Sequence, residues 1–203
     1  MTDTAAKAPR RGRPRSEKAK QAILAAAREL LLEQGVHAMS MDDVAERAGV
    51  SKATIYRWWG SKELLALDAL AAAWAGLTPD AQRDTGSLRS DLLARFRPWQ
   101  RELNAQPFGR VFAGLLAEAQ TDPEFAKLYL EHFIYPRREA TRVLLVRGID
   151  RGEIAADTDL EVALDLLYGP VYHRLLSRHA RLTDRFVQQV VDAVIKAFAS
   201  GAG

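Results

Sequence analysis

The fold is decided by residues 40–62, which read SMDDVAERAGVSKATIYRWWGSK. A serine precedes each helical pattern in this stretch, where its oxygen can accept from an otherwise unpaired first-turn N–H group. Ser40, Ser51 and Ser61 are therefore predicted N-caps, and an acidic residue three positions after Ser40 completes the spacing of a capping box. Gly49 falls where one helix must turn sharply into the next, a position that favours glycine. The stretch predicts a helix-turn-helix, whose second helix is the one suited to a DNA major groove.

Length and composition predict a soluble globular protein. The chain has 203 residues, of which 48% are apolar, and this supplies an ordinary buried core. It contains no cysteine, which excludes disulfides, thiol catalysis and cysteine-ligated metals and suits a reducing cytoplasm. No early segment has the pattern of a signal peptide, and no apolar stretch approaches the roughly 18 residues of a membrane span. We therefore expect a cytoplasmic protein with no membrane partner.

Basic residues are concentrated in the first third of the chain. Residues 1–62 hold twelve lysines and arginines against seven aspartates and glutamates, whereas residues 63–203 hold seventeen against nineteen. The basic excess thus accompanies the predicted helix-turn-helix. This asymmetry is expected when one end of a protein meets a polyanion and the other does not.

A basic arm precedes the first predicted helix. Residues 1–15 are rich in alanine, proline, lysine and arginine, lack an apolar period, and are predicted to be disordered. The arm contains RRGRPR at residues 10–15, and arginines on such a backbone fit the narrow minor groove of A·T-rich DNA. Arg11, Arg13 and Arg15 are therefore candidate DNA contacts. The same composition also fits a solubilising tail, and the sequence allows both interpretations.

Apolar residues recur at helical spacing through the remainder of the chain, and no strand pattern is convincing. Residues 16–34 form one amphipathic helix that stops at Gly35, and residues 62–75 form a linking helix. A loop at residues 76–86 is the best internal boundary. Later helices are predicted at residues 87–106, 109–119, 123–151, 160–179 and 184–198.

Proline residues are expected to distort three of these helices. Pro98 implies a kink or a break, Pro136 should bend or interrupt the long helix, and Gly169-Pro170 predicts a distortion in mid-helix. The last two helices are so apolar that they need a partner surface. We favour a two-fold four-helix interface between two subunits, and the alternative is packing inside a single monomer.

Aromatic residues of the C-terminal part define a candidate small-molecule site, since concave apolar sites with few polar groups are the common form. Tyr168 and Tyr172 share a helix face beside Pro170, where a distorted helix leaves room. His132 and His173 are candidate polar contacts. The same aromatic residues also fit an ordinary hydrophobic core. The candidate ligand-binding residues are Phe96, Trp99, Phe112, Tyr129, Phe133, Tyr168, Tyr172 and His173.

Residues 16–65 carry the most specific pattern of the chain. They include ILAAARELLLEQGVHAMSMDDVAERAGVSKATIYRWWGSKELL, which resembles the signature of the TetR family of bacterial transcription regulators. A weaker resemblance, to the C-terminal domain of one TetR subgroup, covers LDLLYGPVYHRLL at residues 164–176. One departure is Trp58-Trp59, where the family more often has His-Phe, although the second tryptophan can serve as the core aromatic.

The resemblance implies a homodimer whose two recognition helices read a pseudo-palindromic operator in double-stranded DNA. For such dimers the half-sites lie about 34 to 36 Å apart or a multiple of that distance. It further implies a ligand pocket in the C-terminal domain. Most members of the family are repressors that the ligand releases from DNA.

Candidate DNA contacts follow from this resemblance residue by residue. Ser51 caps the recognition helix, and Tyr56 and Lys62 match positions that hold phosphates. The exposed early positions, from which side chains could reach base edges, are Lys52, Ala53, Thr54 and Arg57. The hydroxyl groups of Ser40 and Thr54 are also candidates for contacts with phosphates. The alternatives are surface packing for the aromatic residues, a solvated charge for the lysines and an ion pair with an acid for the arginine. The candidates of this region are Ser40, Ser51, Lys52, Ala53, Thr54, Tyr56, Arg57, Trp58 and Lys62.

No catalytic or metal-binding pattern is present in the sequence, which lacks HExxH, P-loop and dinucleotide-binding motifs. We therefore expect neither an enzyme nor a cofactor. The predicted fold is all-α with about nine helices, divided into a basic arm (1–15), a helix-turn-helix DNA-binding domain (16–62) and a helical ligand-binding and dimerisation domain (63–203). The predicted function is a ligand-responsive homodimeric transcriptional regulator, with repression favoured and a small-molecule effector as a further partner. The alternative is a ligand-independent architectural DNA-binding protein that uses the basic arm and has little sequence preference.

Overall fold

The structure is a computed structural model that describes residues 13–77, 84–105 and 107–199. Within these ranges the chain is helical and contains no strand, which confirms the predicted all-α class. The α7 helix, a five-residue π-helical turn and the α8 helix follow one another directly, so the described chain forms nine helical rods. The elements are α1 (Arg13–Ala38), α2 (Met41–Ala48), α3 (Lys52–Tyr56), α4 (Lys62–Leu77), α5 (Leu88–Asn104), α6 (Phe108–Thr121), α7 (Pro123–Tyr129), the π turn (Leu130–Ile134), α8 (Tyr135–Asp150), α9 (Leu160–Ser177) and α10 (Asp184–Ala197).

The first helix begins earlier than predicted. The α1 helix starts at Arg13 rather than at residue 16, so Arg13 and Arg15 lie within it and not in a disordered arm. Arg11 and the remainder of the predicted arm lie outside the described residues. Near the other end, Gly35 has φ 82° and ψ 171°, and this non-helical backbone interrupts α1 at the predicted stop.

Three serine caps form as predicted. The Ser40 hydroxyl accepts the Asp43 N–H at 3.1 Å while the Asp43 carboxylate accepts the Ser40 N–H at 3.3 Å, which completes the capping box. Ser51 caps α3, and Ser61 accepts the Leu64 N–H at 3.2 Å at the start of α4. Gly49 ends α2 in the left-handed conformation, with φ 64°. The local sequence therefore sets the angle between α2 and α3.

The N-terminal core is formed by the first four helices. Ile23 and Leu31 of α1, Val44 of α2, Ile55 of α3 and Trp59 after it are each no more than 1% exposed. The α4 helix packs along α1 and then continues into the C-terminal part. The α4 helix therefore connects helices α1 to α3 and residues 57–61, together called the reader, to the C-terminal part.

Prolines act on the C-terminal helices in different ways. The α5 helix runs through Pro98 and α9 runs through Pro170 without ending, so the predicted break at Pro98 does not occur. The long helix is interrupted before Pro136, as predicted, and the interruption takes the form of the π turn. Since proline has no N–H, the carbonyl four residues before Pro136 loses its helical donor, and the wider turn accommodates this loss.

A buried polar network joins α5, α8 and α9. Arg95 donates to the Thr141 hydroxyl at 2.7 Å and to the Arg137 carbonyl at 3.0 Å, and the Tyr168 hydroxyl lies 2.8 Å from that of Thr141. All four residues are at least nine-tenths buried. The three helices are therefore held in a fixed arrangement around the C-terminal core.

Candidate DNA-binding surface and effector cavity

The α3 helix presents one face to solvent and fixes the other in the core. The Ser51 hydroxyl accepts the Thr54 N–H at 3.2 Å and lies 2.9 Å from the Thr54 hydroxyl. Ile55 is fully buried, whereas Lys52, Ala53 and Tyr56 are exposed. With only five residues, α3 depends on this cap and this buried side chain for its orientation. The predicted base-reading side chains thus share an accessible surface.

Each basic side chain of this surface is held by a neighbour. Lys52 Nζ lies 2.9 Å from an Asp42 carboxylate oxygen, and this hydrogen bond raises the pKa of Lys52. Lys62 Nζ donates to the His37 carbonyl at 3.0 Å, which leaves two of its three protons for another acceptor. These contacts hold the two cations at defined positions beside α3.

Arg57 stacks on Trp58 instead of pairing with an acid. Its Cζ atom lies 4.8 Å from the centre of the Trp58 ring, and the described residues place no carboxylate within ion-pair distance of it. Because the ring contacts the flat face of the guanidinium, the N–H groups at its edge remain free to donate to a bidentate acceptor. Arg57 is exposed and Trp58 is half-buried, so this pair lies at the border between the reader and its core.

The two neighbouring tryptophans, Trp58 and Trp59, differ in burial and in their contacts. Trp59 is the core aromatic, 1% exposed, as predicted, and Trp58 packs edge-on against it with ring centres 5.8 Å apart. The Trp59 indole N–H donates to the Asp68 carboxylate at 2.9 Å. That carboxylate also lies 3.2 Å from Nδ1 of His132 in the π turn. One aspartate on α4 thus touches both the reader and the C-terminal part.

A second contact between the two parts involves α1 and α6. His37 Nε2 lies 3.0 Å from a Glu118 carboxylate oxygen. Both links therefore join a histidine to a carboxylate across the same boundary. Neither carboxylate is predictable from the sequence, because pairing between different helices leaves no signal in local spacing.

Seven of the eight predicted ligand residues lie together. Phe96, Trp99, Phe112, Tyr129, Phe133, Tyr168 and Tyr172 form a continuous ring cluster with centres 5.0 to 6.5 Å apart. His173 is an exception. It is exposed, and its ring packs against His179, with centres 5.0 Å apart. The structure does not bring His173 to the cluster.

A cavity of about 460 Å³ opens beside this cluster, between α6, α7, the π turn and α9. Tyr129 and Tyr172 are the two predicted residues in its wall. Burial raises the pKa of each phenol above its usual value, so both remain protonated donors at neutral pH. The other five clustered residues pack as core, in line with the alternative interpretation. The cavity is lined by Leu116, Ala119, Gln120, Ala126, Tyr129, Leu130, Ile134 and Tyr172.

Arg137 is a functional candidate that the sequence did not reveal. It is 5% exposed, and its Cζ atom lies 4.7 Å from the ring centres of both Trp99 and Phe133. Aromatic faces stabilise a cation placed in this way. In the sequence the residue stands among the charges of PRREATR and looks like part of a solvated helix face. Only the arrangement of four rings around it gives it a place in the core.

The α9 and α10 helices leave an apolar surface uncovered. Val162, Leu166 and Leu176 of α9 are 47%, 44% and 50% exposed. A groove of about 510 Å³ runs between the two helices, and its walls include Leu166 and Pro170. Its remaining lining residues are Arg174, Phe186, Gln189, Val190, Ala193, Val194 and Ala197. Exposed apolar side chains in a continuous stripe mark a surface for association.

Other kinds of site find no support in the described ranges. These residues include no group of three histidine, aspartate or glutamate side chains arranged to hold a metal ion. None of the helices described is long and apolar enough to cross a lipid bilayer.

Two family models match the chain in succession. Residues 23–69 match the model described as bacterial regulatory proteins, tetR family. Residues 82–194 match the model described as the tetracyclin repressor-like C-terminal domain. The first match covers the helix-turn-helix and the start of α4, and the second covers the cavity, the aromatic cluster and the α9–α10 surface.

Similar proteins are named as transcription regulators. An uncharacterized HTH-type transcriptional regulator of Bacillus subtilis, YdeS, is 40% identical over 182 residues, which are 90% of each chain. The DNA-binding transcriptional repressor TetR of Mycobacteroides abscessus is 33% identical over 89% of this chain and 94% of its own. The crystal structure of the TetR family transcription regulator SCO0332 superimposes with a TM-score of 0.78 at 36% identity, covering 90% of this chain and 99% of that one.

Proposed function

Because the chain belongs to the TetR family of bacterial transcription regulators, we propose that it is a homodimeric repressor that a small molecule releases from a pseudo-palindromic operator. The family is one of DNA-binding regulators and not of enzymes. One observation carries the proposal. The capped α3 helix exposes Lys52, Ala53, Tyr56 and Arg57 on one face, while Ile55 fixes the opposite face in the core.

DNA recognition is divided between base contacts and phosphate contacts. Ala53, Thr54 and Arg57 are the proposed base-reading side chains, since they lie on or beside the accessible face of α3. Tyr56 on this face and Lys62 beside it are suited to phosphate oxygens, as is the cation of Lys52. Ser51 contributes as the cap that orients the helix. The hydroxyls of Ser40 and Thr54 already serve local hydrogen bonds, and either can still donate to a phosphate.

Dimerisation joins two such readers. The uncovered stripe of α9 and its groove against α10 are proposed to pack on the same surface of a second copy, which gives a two-fold four-helix interface. A two-fold axis through this interface matches the symmetry of an inverted repeat. The half-sites are expected about 34 to 36 Å apart, or a multiple of that.

The effector is proposed to enter the cavity between α6 and the π turn. Its volume of about 460 Å³ falls within the usual range for small-molecule sites. Its walls are mainly aliphatic, and Gln120, Tyr129 and Tyr172 are the lining residues that carry polar groups. An apolar molecule with one or two hydrogen-bond acceptors fits this lining.

Footprinting of the DNA that flanks the gene of this protein tests the proposal. We expect protection of an inverted repeat that overlaps a promoter, and a mass-measured stoichiometry of two chains per repeat. Protection without sequence preference, lost when residues 1–15 are deleted, favours the alternative of an architectural DNA-binding protein. The exposed and capped α3 surface favours the regulator.

A further inference from the structure

We propose that Asp68 is the residue that couples the effector cavity to the DNA-binding surface. Its single carboxylate holds Trp59 of the reader on one oxygen and faces His132 of the π turn with the other. This inference rests on the proposed function and names the regulation of the same cavity. Asp68 acts through its neighbours, as a positioning residue, and touches neither DNA nor effector.

The reader side of this link is rigid. Trp59 is almost fully buried among the first four helices, and its indole N–H reaches Asp68 at 2.9 Å. Trp58 packs edge-on against Trp59, and Arg57 stacks on Trp58. A displacement of the Trp59 ring therefore passes through one aromatic neighbour to a proposed base-reading side chain. Phenylalanine at position 59 fills the core but has no N–H for Asp68.

The cavity side of this link is the π turn. Leu130 and Ile134 line the cavity from this turn. His132 lies two residues beyond Leu130, nearly half a turn around the axis of the π turn, and it faces α4, against which the turn packs. The π turn thus separates the cavity, which it lines with Leu130 and Ile134, from Asp68, which it contacts through His132.

A π turn can adopt a second arrangement. It holds one residue more per turn than the adjoining α-helices, and conversion to the α-helical register rotates the side chains on one side of it by about 100°. Because Pro136 has no N–H for the His132 carbonyl, the π register is the resting state. When a molecule in the cavity displaces the Leu130 and Ile134 side chains, this conversion moves His132 away from Asp68. The structure holds the π register, and the α-helical register is the second state of the proposed coupling.

The experiment fills the cavity by substitution, since the effector is unidentified. Ala126→Phe places a ring in the cavity from α7, and Ala119→Phe does so from α6 should the first variant fail to fold. Ala156→Phe adds the same ring at an exposed loop position and serves as the control. Each change is made in the wild-type chain and in the Asp68→Ala background. The probe is a duplex recovered with wild-type protein by selection from random sequence.

Operator affinity is the first measurement. We expect Ala126→Phe to weaken binding of the selected duplex about 3- to 30-fold in the wild-type background and less than twofold in the Asp68→Ala background. In the His132→Ala background, Ala126→Phe should likewise weaken duplex binding less than twofold. The weakening should return in the His132→Gln background, whose amide N–H can donate to Asp68, and it should persist in the control background His179→Ala. Equal weakening in both backgrounds, or no weakening in the wild-type background, overturns the role of Asp68.

The second measurement needs no DNA. The Nε1–H resonance of Trp59 is assigned by its loss in Trp59→Phe, and we expect Ala126→Phe to shift it only when Asp68 is present. An unchanged resonance refutes the link even where operator affinity changes. Failure of the proposed function has a different result, namely that wild-type protein selects no inverted repeat. The resonance experiment decides on Asp68 in that case as well.

Discussion

The subunit interface offers a prediction whose size can be worked out from exposure. Leu166 is 44% exposed in the single chain, and full burial of a leucine side chain stabilises by about 1.5 to 3 kcal/mol. Covering the exposed fraction therefore contributes about 0.7 to 1.3 kcal/mol in each copy, and a two-fold interface counts it twice. Leu166→Ala should raise the dimer dissociation constant about 10- to 70-fold, because each 1.4 kcal/mol is a factor of ten.

Sedimentation equilibrium over a range of protein concentrations measures this constant. Val146→Ala is the matched control, since Val146 is 41% exposed on α8 and lies outside the α9–α10 groove. The Leu166→Ala monomers should keep the wild-type circular dichroism spectrum and bind the operator more weakly at low protein concentration. A wild-type dissociation constant for Leu166→Ala together with a raised constant for Val146→Ala would place the interface elsewhere and refute the reasoning.

Three further predictions concern DNA binding and stability. Lys62→Ala should weaken binding to specific and random DNA alike and reduce the slope of log K against log salt by about one, and an unchanged slope argues against a phosphate contact. Arg57→Ala should instead change the preference among operator variants, by about 1 to 3 kcal/mol at one base pair, which a competition series measures and which a uniform loss would contradict. Asp91→Asn should lower the free energy of unfolding by about 2 kcal/mol at neutral pH, measured with urea, because Asp91 is 3% exposed and accepts from Thr85 and Arg151. Burial acts to raise the pKa of Asp91, but hydrogen bonds from Thr85 and Arg151 outweigh it and hold the pKa below its ordinary value. The contribution of Asp91 to stability is therefore present above about pH 4 and is lost on further acidification of the wild type. An equal loss of stability on acidification of the variant would contradict the assignment.

The reader could be predicted from the sequence nearly in full. Caps at Ser40, Ser51 and Ser61 and the left-handed turn at Gly49 depend on interactions over three or four residues, which local spacing encodes. The α1 helix starts three residues before the predicted position, because proline is tolerated in the first turn of a helix and Pro14 does not prevent the earlier start. Local rules are sufficient where partners are close in sequence.

The cavity could be predicted only in part. Periodicity identifies which aromatic residues are buried, and it does not reveal which of them leave space between helices, so Tyr129 and Tyr172 could not be separated from Phe96 or Phe112. His173 shares the sequence pattern of its neighbours, yet it turns to the outside near the end of α9. The contacts of Asp68 span nine residues to Trp59 and 64 to His132, distances at which spacing carries no information.

The shortness of α3 has a consequence for how operator preference can diverge among relatives. The groups that hold this five-residue helix, Ser51 and Ile55, are distinct from the exposed side chains that would touch bases. Exposed substitutions of this kind change stability by no more than about 0.5 kcal/mol. Replacement of Ala53 can therefore change the preferred DNA sequence without disturbing the cap or the buried contact that hold α3. DNA-sequence preference and the stability of α3 thus depend on different side chains of the same short helix.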